Sequence, residues 1–302
     1  MAPTITNVAL SGPTGNVGAP ILKALVDCGK FKVTVLTRKE GQEVPSGVTA
    51  KVVDTNSVES ITEALRGQDA FVDASSGPDP GLPGRFVEAA AAAGVYRMIA
   101  SEFSVDPRNT EARKPLVFHG KNLALQQLEK LAAEGKITWT TISNGAFLDW
   151  NLRSGFINID IFEKKIKYLN EGNTKLAWTM LADVGTAVAN ALIKHEETKN
   201  RNLYISSIIK TQSDVANLAK EVLGSDGWQE EHQNMDERLK AATENMMAGK
   251  VDMGVIGDMI RWSTQVPQPA WNQQEDNKLL GVTPMSDDEL RQLIKNVRAE
   301  RK

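Results

Sequence analysis

Short apolar runs alternate with helical patterns along the first half of the chain. Six of these runs predict strands at residues 7–10, 32–36, 50–53, 70–72, 97–100 and 137–142. Between them, apolar residues recur at the spacing of a helix face, and Ser57 is suited to cap one such helix. Strands that alternate with helices are typical of a parallel sheet built from βαβ units. The pattern therefore predicts an α/β fold.

The regular alternation ends near residue 150. Beyond it, Met, Trp, Asn and Gln accumulate at 228–275, and one more well-formed helix is predicted at 183–194. We expect this helix to pack back on the first part of the chain. The stretch 263–276 contains two prolines and four glutamines, so we expect a long surface connection there. At about 150 residues per domain, the length suggests two domains, which we place at 1–152 and 153–302.

Composition narrows the class of protein. There are 35 Lys and Arg against 38 Asp and Glu, a net charge of −3, which argues against a nucleic-acid partner. No apolar run approaches the roughly 18 residues that span a bilayer, and no secretory signal precedes the first strand, so we expect a cytoplasmic protein without a membrane partner. One cysteine and three scattered histidines make a metal site improbable.

A glycine loop follows the first predicted strand. Gly12, Gly15 and Gly18 form a G-x-x-G-x-x-G run between that strand and a predicted helix. Glycine permits the tight turn, the approach of a pyrophosphate to the backbone, and close packing of helix on strand. The free N–H groups at the helix start then hold phosphates, so Thr14, Asn16 and Val17 also join the predicted site. The alternative is a tight turn without a ligand.

The end of the second strand distinguishes the two nicotinamide dinucleotides. An NAD site places a carboxylate about 20 residues beyond the loop, to accept from the ribose 2′-OH. Arg38 and Lys39 stand there instead, and the first carboxylate is Glu40. Two cations suit a 2′-phosphate, which a guanidinium grips with two hydrogen bonds. We therefore predict NADP(H), against the alternative of a solvated basic turn.

Several of these motifs occur together in one family. They are the loop at 12–18, Thr37-Arg38, Ser101-Glu102-Phe103, a lysine near 120, and the run Thr140 to Phe147. On them the chain resembles the isoflavone-reductase-like, or NmrA-like, branch of the atypical short-chain dehydrogenases, well over the first 150 residues and weakly beyond. Residues 280–282 and 285–286 look like fungal members. The resemblance implies a Rossmann-type, doubly wound parallel sheet, with a smaller C-terminal α+β substrate lobe closing over the nicotinamide.

Family reductases lack the usual Tyr-x-x-x-Lys pair and rely on the lysine. That lysine matches Lys121, and Val117 stands where the tyrosine would be. The resemblance implies that the Lys121 ammonium polarises or protonates the substrate oxygen and binds the nicotinamide ribose. The alternative is an exposed lysine in the first turn of a helix. His119 is a candidate accessory acid, although an exposed or satisfied histidine is the more common situation.

Further cofactor contacts are predicted after the later strands. Ser75, Ser76 and Gly77 would let the backbone pass the adenosine and ribose, unless they form a plain turn. Asp54 would meet the adenine edge, or else cap the turn before Ser57. Ser101 lies where related dehydrogenases keep a polar residue beside the nicotinamide. The family motifs add three residues to the predicted cofactor site: Phe103, Asn144 and Phe147.

The substrate region is less informative. Phe147, Trp150, Trp178 and Met180 either line an apolar pocket for a planar substrate or belong to the core, and Asp149 is a candidate acid or base. We expect an NADPH-dependent reductase of a small aromatic or conjugated secondary metabolite, acting as a monomer or homodimer. Two alternatives remain: an NADP(H)-sensing regulator, and a non-redox enzyme that uses the cofactor as a scaffold for acid-assisted cyclisation.

Overall fold

The computed structural model describes residues 3–77, 79–273 and 275–301. The strands are β1 Asn7–Ser11, β2 Lys32–Thr37, β3 Thr49–Val52, β4 Ala70–Asp73, β5 Arg97–Ile99, β6 Thr138–Ser143, β7 Ala146–Phe147, β8 Ile159–Asp160, β9 Lys165–Leu169, β10 Lys175–Thr179, β11 Arg201–Tyr204, β12 Ile208–Thr211 and β13 Gln229–Gln233. The helices are α1 Gly18–Asp27, α2 Val58–Leu65, α3 Leu82–Ala92, α4 His119–Ala133, α5 Leu148–Ser154, α6 Leu181–Ile193, α7 Gln212–Leu223, α8 Met235–Met247, α9 Met253–Ser263, α10 Ala270–Gln273, α11 Asn277–Leu280 and α12 Asp287–Ala299, with a 3₁₀ turn at Leu116–Phe118.

Seven parallel strands form the central sheet, in the order β11-β6-β5-β4-β1-β2-β3. One apolar core lies between this sheet and helices α1 and α6, and a second lies between the sheet and helices α2, α3 and α4. Because helices cover both faces, the sheet is doubly wound, and the predicted Rossmann-type fold is confirmed. The winding reverses between β1 and β4, and in such sheets ligands bind in the crevice at the carboxyl ends of the strands there.

All six predicted strands are present, with ends within one residue of the prediction. The seventh strand, β11, was not predicted. Three helices begin earlier than their apolar patterns predict: α3 at Leu82 rather than Phe86, α4 at His119 rather than Asn122, and α6 at Leu181 rather than Asp183. Pro83 explains the first of these, because proline favours the first helical turn, where no N–H bond is needed.

Two small sheets lie outside the central one, in the orders β12-β10-β7 and β13-β9-β8. Helices α5, α7 and α12 contribute to a third apolar core with these strands. Helix α6 packs against α1, as expected, and β11 joins the main sheet although it follows residue 152. The division into domains at residue 152 stays a prediction.

The prediction that residues 263–276 form a surface connection is wrong, because part of this stretch is buried. Trp271 is buried, its indole N–H donates to the Ile205 carbonyl at 2.8 Å, and its ring meets the ring of Tyr204 edge-on at 5.4 Å. Asp276 continues the contact: its side chain accepts from the Tyr204 N–H at 3.0 Å, and its own N–H donates to the Tyr204 carbonyl at 2.8 Å. Trp271 and Asp276 therefore pack against the end of β11.

None of the helices described is both long enough and apolar enough to cross a membrane.

Candidate functional site

The glycine loop after β1 is shaped by two close approaches. Gly12 has φ +62°, and a Cβ on it would stand 2.6 Å from the Ala74 carbonyl oxygen. A Cβ on Gly18 would stand 1.8 Å from the Gly12 carbonyl oxygen. These distances are far inside van der Waals contact, so both positions require glycine for the loop to lie against the end of β4.

The middle of the loop is open. Thr14, Gly15 and Asn16 are exposed, and a Cβ on Gly15 would meet only the Gly12 carbonyl oxygen, at 3.4 Å. Helix α1 begins directly behind them. The Ala19 N–H already donates to the Gly15 carbonyl at 3.0 Å and Pro20 has no N–H, but within the described residues the N–H groups of Asn16, Val17 and Gly18 have no acceptor and no side chain caps the helix start. Such unpaired N–H groups form a site for an anion. The loop therefore fits the phosphates of a dinucleotide, as its sequence predicts.

The basic turn after β2 is stabilised by a hydrogen bond between two of its own residues. The Thr37 hydroxyl donates to the Lys39 carbonyl at 3.0 Å, which folds the turn over the strand end. Arg38 and Lys39 are exposed, and neither forms an ion pair within the part of the chain that is described. Both cations are thus available to a 2′-phosphate.

Asp73, the last residue of β4, is a buried carboxylate that the sequence analysis missed. Its Oδ1 accepts three hydrogen bonds: from the Ser11 hydroxyl at 2.7 Å, the Ser75 N–H at 2.9 Å and the Ser75 hydroxyl at 2.6 Å. Burial raises the pKa of Asp73, while the bonds from Ser75 and Ser11 and the charge of Lys121 lower it. An aspartate closing an apolar strand just before two serines was the available signal.

Lys121 lies at the neighbouring strand end. Its ammonium donates to the Ser101 carbonyl, and the Ser101 hydroxyl donates to the Ser75 carbonyl at 2.9 Å. Burial lowers the pKa of Lys121, Glu102 raises it, Arg113 lowers it and Asp73 raises it. The structure therefore brings the glycine loop, Ser75, Ser101 and Lys121 together along the carboxyl edge of β1, β4 and β5. Ser76 and Gly77 lie beside them, exposed.

A buried ion pair lies under this lysine. The Arg113 guanidinium and the Glu102 carboxylate are 2.7 Å apart, and their side chains are only 2% and 3% exposed. Arg113 also donates to the Asn122 side chain at 2.9 Å and stacks over the Phe118 ring at 4.4 Å. The pair ties the loop before α4 to the residue after Ser101. In the sequence, Glu102 stands out only as part of a family motif, and nothing local marks Arg113 as its partner.

The two further catalytic candidates differ in their surroundings. His119 is exposed at the first position of α4. The Asp149 carboxylate accepts from the Leu181 N–H of α6 at 3.1 Å through Oδ1 and pairs with Arg153 of its own helix at 3.0 Å through Oδ2, so both of its oxygens are engaged. Their catalytic roles stay predictions.

Most of the remaining cofactor candidates pack in the core or form hydrogen bonds within the protein. Phe103 is buried in the core shared with α1 and α6, and Phe147 packs against the same core. Asn144 is buried, with its N–H donating to the Ser104 carbonyl at 3.2 Å. The Asp54 side chain accepts from the Asn56 N–H at 2.9 Å, which is the turn-capping alternative. Their contacts with a cofactor stay predictions.

Of the proposed pocket aromatics, Trp178 belongs to the core: it is 1% exposed, and its indole N–H donates to the Lys210 carbonyl at 3.1 Å. Trp150 is half-buried, with its ring 5.1 Å from the ring of Phe156.

Several known proteins are similar to this chain in sequence or in fold. The model of the NmrA-like family matches residues 4–228. The chain is 31% identical to oxidoreductase aprR of Aspergillus flavus over 248 residues, which are 81% of this chain and 82% of that protein. The structure of an isoflavone reductase matches with a TM-score of 0.72 at 21% identity, over 95% of this chain and 98% of the other.

The complex of leucoanthocyanidin reductase with NADPH from Vitis vinifera matches with a TM-score of 0.74 at 19% identity, over 96% of this chain and 99% of the other. At these low identities the two structural matches establish the shared fold. The family model covers well over half of the chain, and the resemblance drawn from its motifs is confirmed. The chain belongs to the NmrA-like family.

Proposed function

We propose that this protein is an NADPH-dependent reductase of a small aromatic or conjugated secondary metabolite, with Lys121 as its acid or electrostatic catalyst. The observation that carries the proposal is the place of Lys121, a half-buried lysine whose ammonium lies at the carboxyl edge of the sheet, beside the open glycine loop. The name of the Aspergillus flavus relative, an oxidoreductase, and the NADPH in the Vitis vinifera reductase complex support it.

The chain's own groups supply what the dinucleotide needs. The unpaired N–H groups of Asn16, Val17 and Gly18 and the open face at Gly15 would hold the pyrophosphate. Arg38 and Lys39 would hold the 2′-phosphate, with the guanidinium making two parallel hydrogen bonds. Ser75 and Ser101 lie between that loop and Lys121, on the side where the nicotinamide ribose would pass.

The chemistry assigned to Lys121 is proton donation or charge stabilisation. NADPH supplies a hydride when bound. The Lys121 ammonium would then stabilise the negative charge that develops on the substrate oxygen, and would deliver its proton there. Burial lowers the pKa of this ammonium, which makes it a stronger acid than an exposed lysine. The ammonium donates to the Ser101 carbonyl, which fixes the direction from which a proton is delivered.

The presence of this lysine favours an enzyme over an NADP(H)-sensing regulator. The non-redox alternative needs an acid such as Asp149, whose carboxylate is already bound to Leu181 and Arg153. We therefore place the reductase first.

The test is NADPH consumption, followed by absorbance, against a panel of enones and isoflavonoid-like compounds. The expected result is consumption by the wild-type protein and at least about a hundredfold slower consumption by Lys121→Met. Conversion of a compound without NADPH consumption would support the non-redox alternative. Tight NADPH binding without any conversion across the panel would support the regulator.

A further inference from the structure

Asp73 and Lys121 are joined by an unbroken series of hydrogen bonds. Asp73 Oδ1 accepts from the N–H and hydroxyl of Ser75, the Ser75 carbonyl accepts from the Ser101 hydroxyl, and the Ser101 carbonyl accepts from Lys121. The series crosses from the end of β4 to the end of β5 and the start of α4. Ser11, the residue before the glycine loop, extends it to the end of β1.

The charges around Lys121 come from three elements. Glu102 follows β5, Arg113 lies in the loop before α4, and Asp73 ends β4. Glu102 raises the pKa of Lys121 more than Asp73 does, but Glu102 is paired at 2.7 Å with Arg113, whose charge opposes it. Asp73 has no arginine or histidine partner among the described residues. It therefore adds a second, smaller stabilisation of the charged ammonium, and no neighbouring guanidinium or imidazole offsets it.

We propose that Asp73 stabilises the charged form of Lys121 and is a positioning residue for the reduction proposed above. Asp73 does not contact the substrate. It acts through its charge and through Ser11 and Ser75, which it orients, whereas Lys121 contacts the substrate. The role of Asp73 in catalysis rests on the proposed function. Its effect on the pKa of Lys121 can be measured without a substrate.

Burial is the largest influence on Asp73 and raises its pKa, whereas the hydrogen bonds from Ser75 and Ser11 and the nearby ammonium oppose it and favour the anion. Removing either member of the pair should therefore shift the titration of the other. Because the two shifts measure the same interaction from its two sides, they should be similar in size.

The first experiment titrates Lys121 by NMR in protein labelled with ¹³C at the lysine ε-carbons, with Lys121→Met to assign its signal. Asp73→Asn removes the charge and keeps an oxygen acceptor at Oδ1 for Ser11 and Ser75, while its second oxygen becomes an NH2 group. It should lower the pKa of Lys121 by about one unit. The matched control is Asp27→Asn, on the exposed end of α1, which should leave the pKa of Lys121 unchanged.

The second experiment tests the pair from the other side and does not depend on the folding of the Asp73 variant. In protein labelled at the aspartate carboxyl carbons, Lys121→Met should raise the pKa of Asp73 by the same amount, about one unit. An unchanged pKa of Asp73 in Lys121→Met would overturn the proposal, as would an unchanged pKa of Lys121 in Asp73→Asn.

The kinetic consequence is a displaced pH profile. In single-turnover reduction, the rate should fall at high pH as Lys121 loses its proton, and Asp73→Asn should move this fall down by about one pH unit. A loss of rate at every pH without displacement would mean a structural role only and would overturn the proposal. If no substrate is reduced at all, the proposed function fails, while the two NMR titrations still decide the role of Asp73.

Discussion

Gly120 lies directly against the backbone of Pro80. A Cβ on Gly120 would stand 2.1 Å from the Pro80 carbonyl oxygen and 2.9 Å from its carbonyl carbon. Helix α4 can therefore reach the connection between β4 and α3 only because its second residue has no side chain. Lys121 is the next residue, so this contact sets the depth at which the ammonium enters the site.

Gly120→Ala should displace the start of α4 and lower the free energy of unfolding by about 1 to 3 kcal/mol, the usual cost of overpacking. The matched control is Gly84→Ala in α3, where the new Cβ would meet only the Gln127 side chain, at 3.5 Å. That change should be neutral or stabilising by up to about 1 kcal/mol, because alanine favours the helix. Urea unfolding measures both, and equal effects would contradict the contact.

Gly15→Val should abolish NADPH binding and leave the fold intact. Its side chain would occupy the open face where the pyrophosphate is expected, and it would meet the protein only at the Gly12 carbonyl. Gly18→Val is the contrasting variant: its Cβ would overlap the Gly12 carbonyl oxygen, so the fold itself should suffer. Fluorescence titration with NADPH and circular dichroism separate the two outcomes. Normal NADPH affinity in Gly15→Val would place the phosphate site elsewhere.

Arg38→Ala should remove most of the preference for NADPH over NADH. The wild-type protein should bind NADPH at least about tenfold more tightly, which corresponds to about 1.4 kcal/mol for the partly solvated 2′-phosphate contacts. Lys30→Ala, at an exposed position before β2, is the charge-matched control and should retain the preference. Equal affinities of the wild-type protein for the two dinucleotides would refute the assignment.

Lys121→Met should lower kcat by about 10² to 10⁴ while NADPH affinity falls only modestly, since one ribose hydrogen bond contributes about 1 kcal/mol. The wild-type rate should also depend on pH. The active form is the protonated ammonium, so the rate is lost as pH rises through its pKa. Burial lowers that pKa, so the loss should begin below the range of an ordinary lysine. Single-turnover rates near wild type in Lys121→Met would exclude the catalytic role.

Arg113→Met should destabilise the protein by about 3 to 5 kcal/mol, because it leaves the buried Glu102 carboxylate unpaired. The double variant Glu102→Leu with Arg113→Met removes both charges and should recover most of that loss. Chemical denaturation of the two variants measures the difference. A double variant no more stable than the single one would show that the ion pair is not the source of the effect.

How far the fold is predictable differs from strand to strand. Five of the six predicted strands are largely buried within a parallel sheet, where a strand reads as a short apolar run, and the sixth, β3, is the exposed strand at one edge. Strand β11 lacks that pattern, because it begins with Arg201 and its buried Asn202 accepts from the Thr141 hydroxyl at 2.7 Å. The polar residue is satisfied only by a partner 61 positions away, so no local signal marks the strand.

The early start of α4 has the same kind of cause. Glycine is unfavourable inside a helix, so the pattern predicts a start after Gly120. The actual start at His119 is explained by the approach to Pro80, which local propensity does not contain. The site divides in the same way. The glycine loop is local and was predicted, the lysine needed the family resemblance, and the partnership of Asp73 with Ser11 joins residues 62 positions apart.

The contact of Trp271 and Asp276 with β11 has a consequence for the behaviour of the molecule in concentrated solution. A strand at the border of a sheet offers unpaired N–H and carbonyl groups on which another chain can add a strand. Here the Tyr204 N–H and carbonyl are both taken by Asp276. Trp271 and Asp276 therefore protect this border of the sheet against edge-to-edge aggregation, and loosening their contacts would expose it to intermolecular pairing.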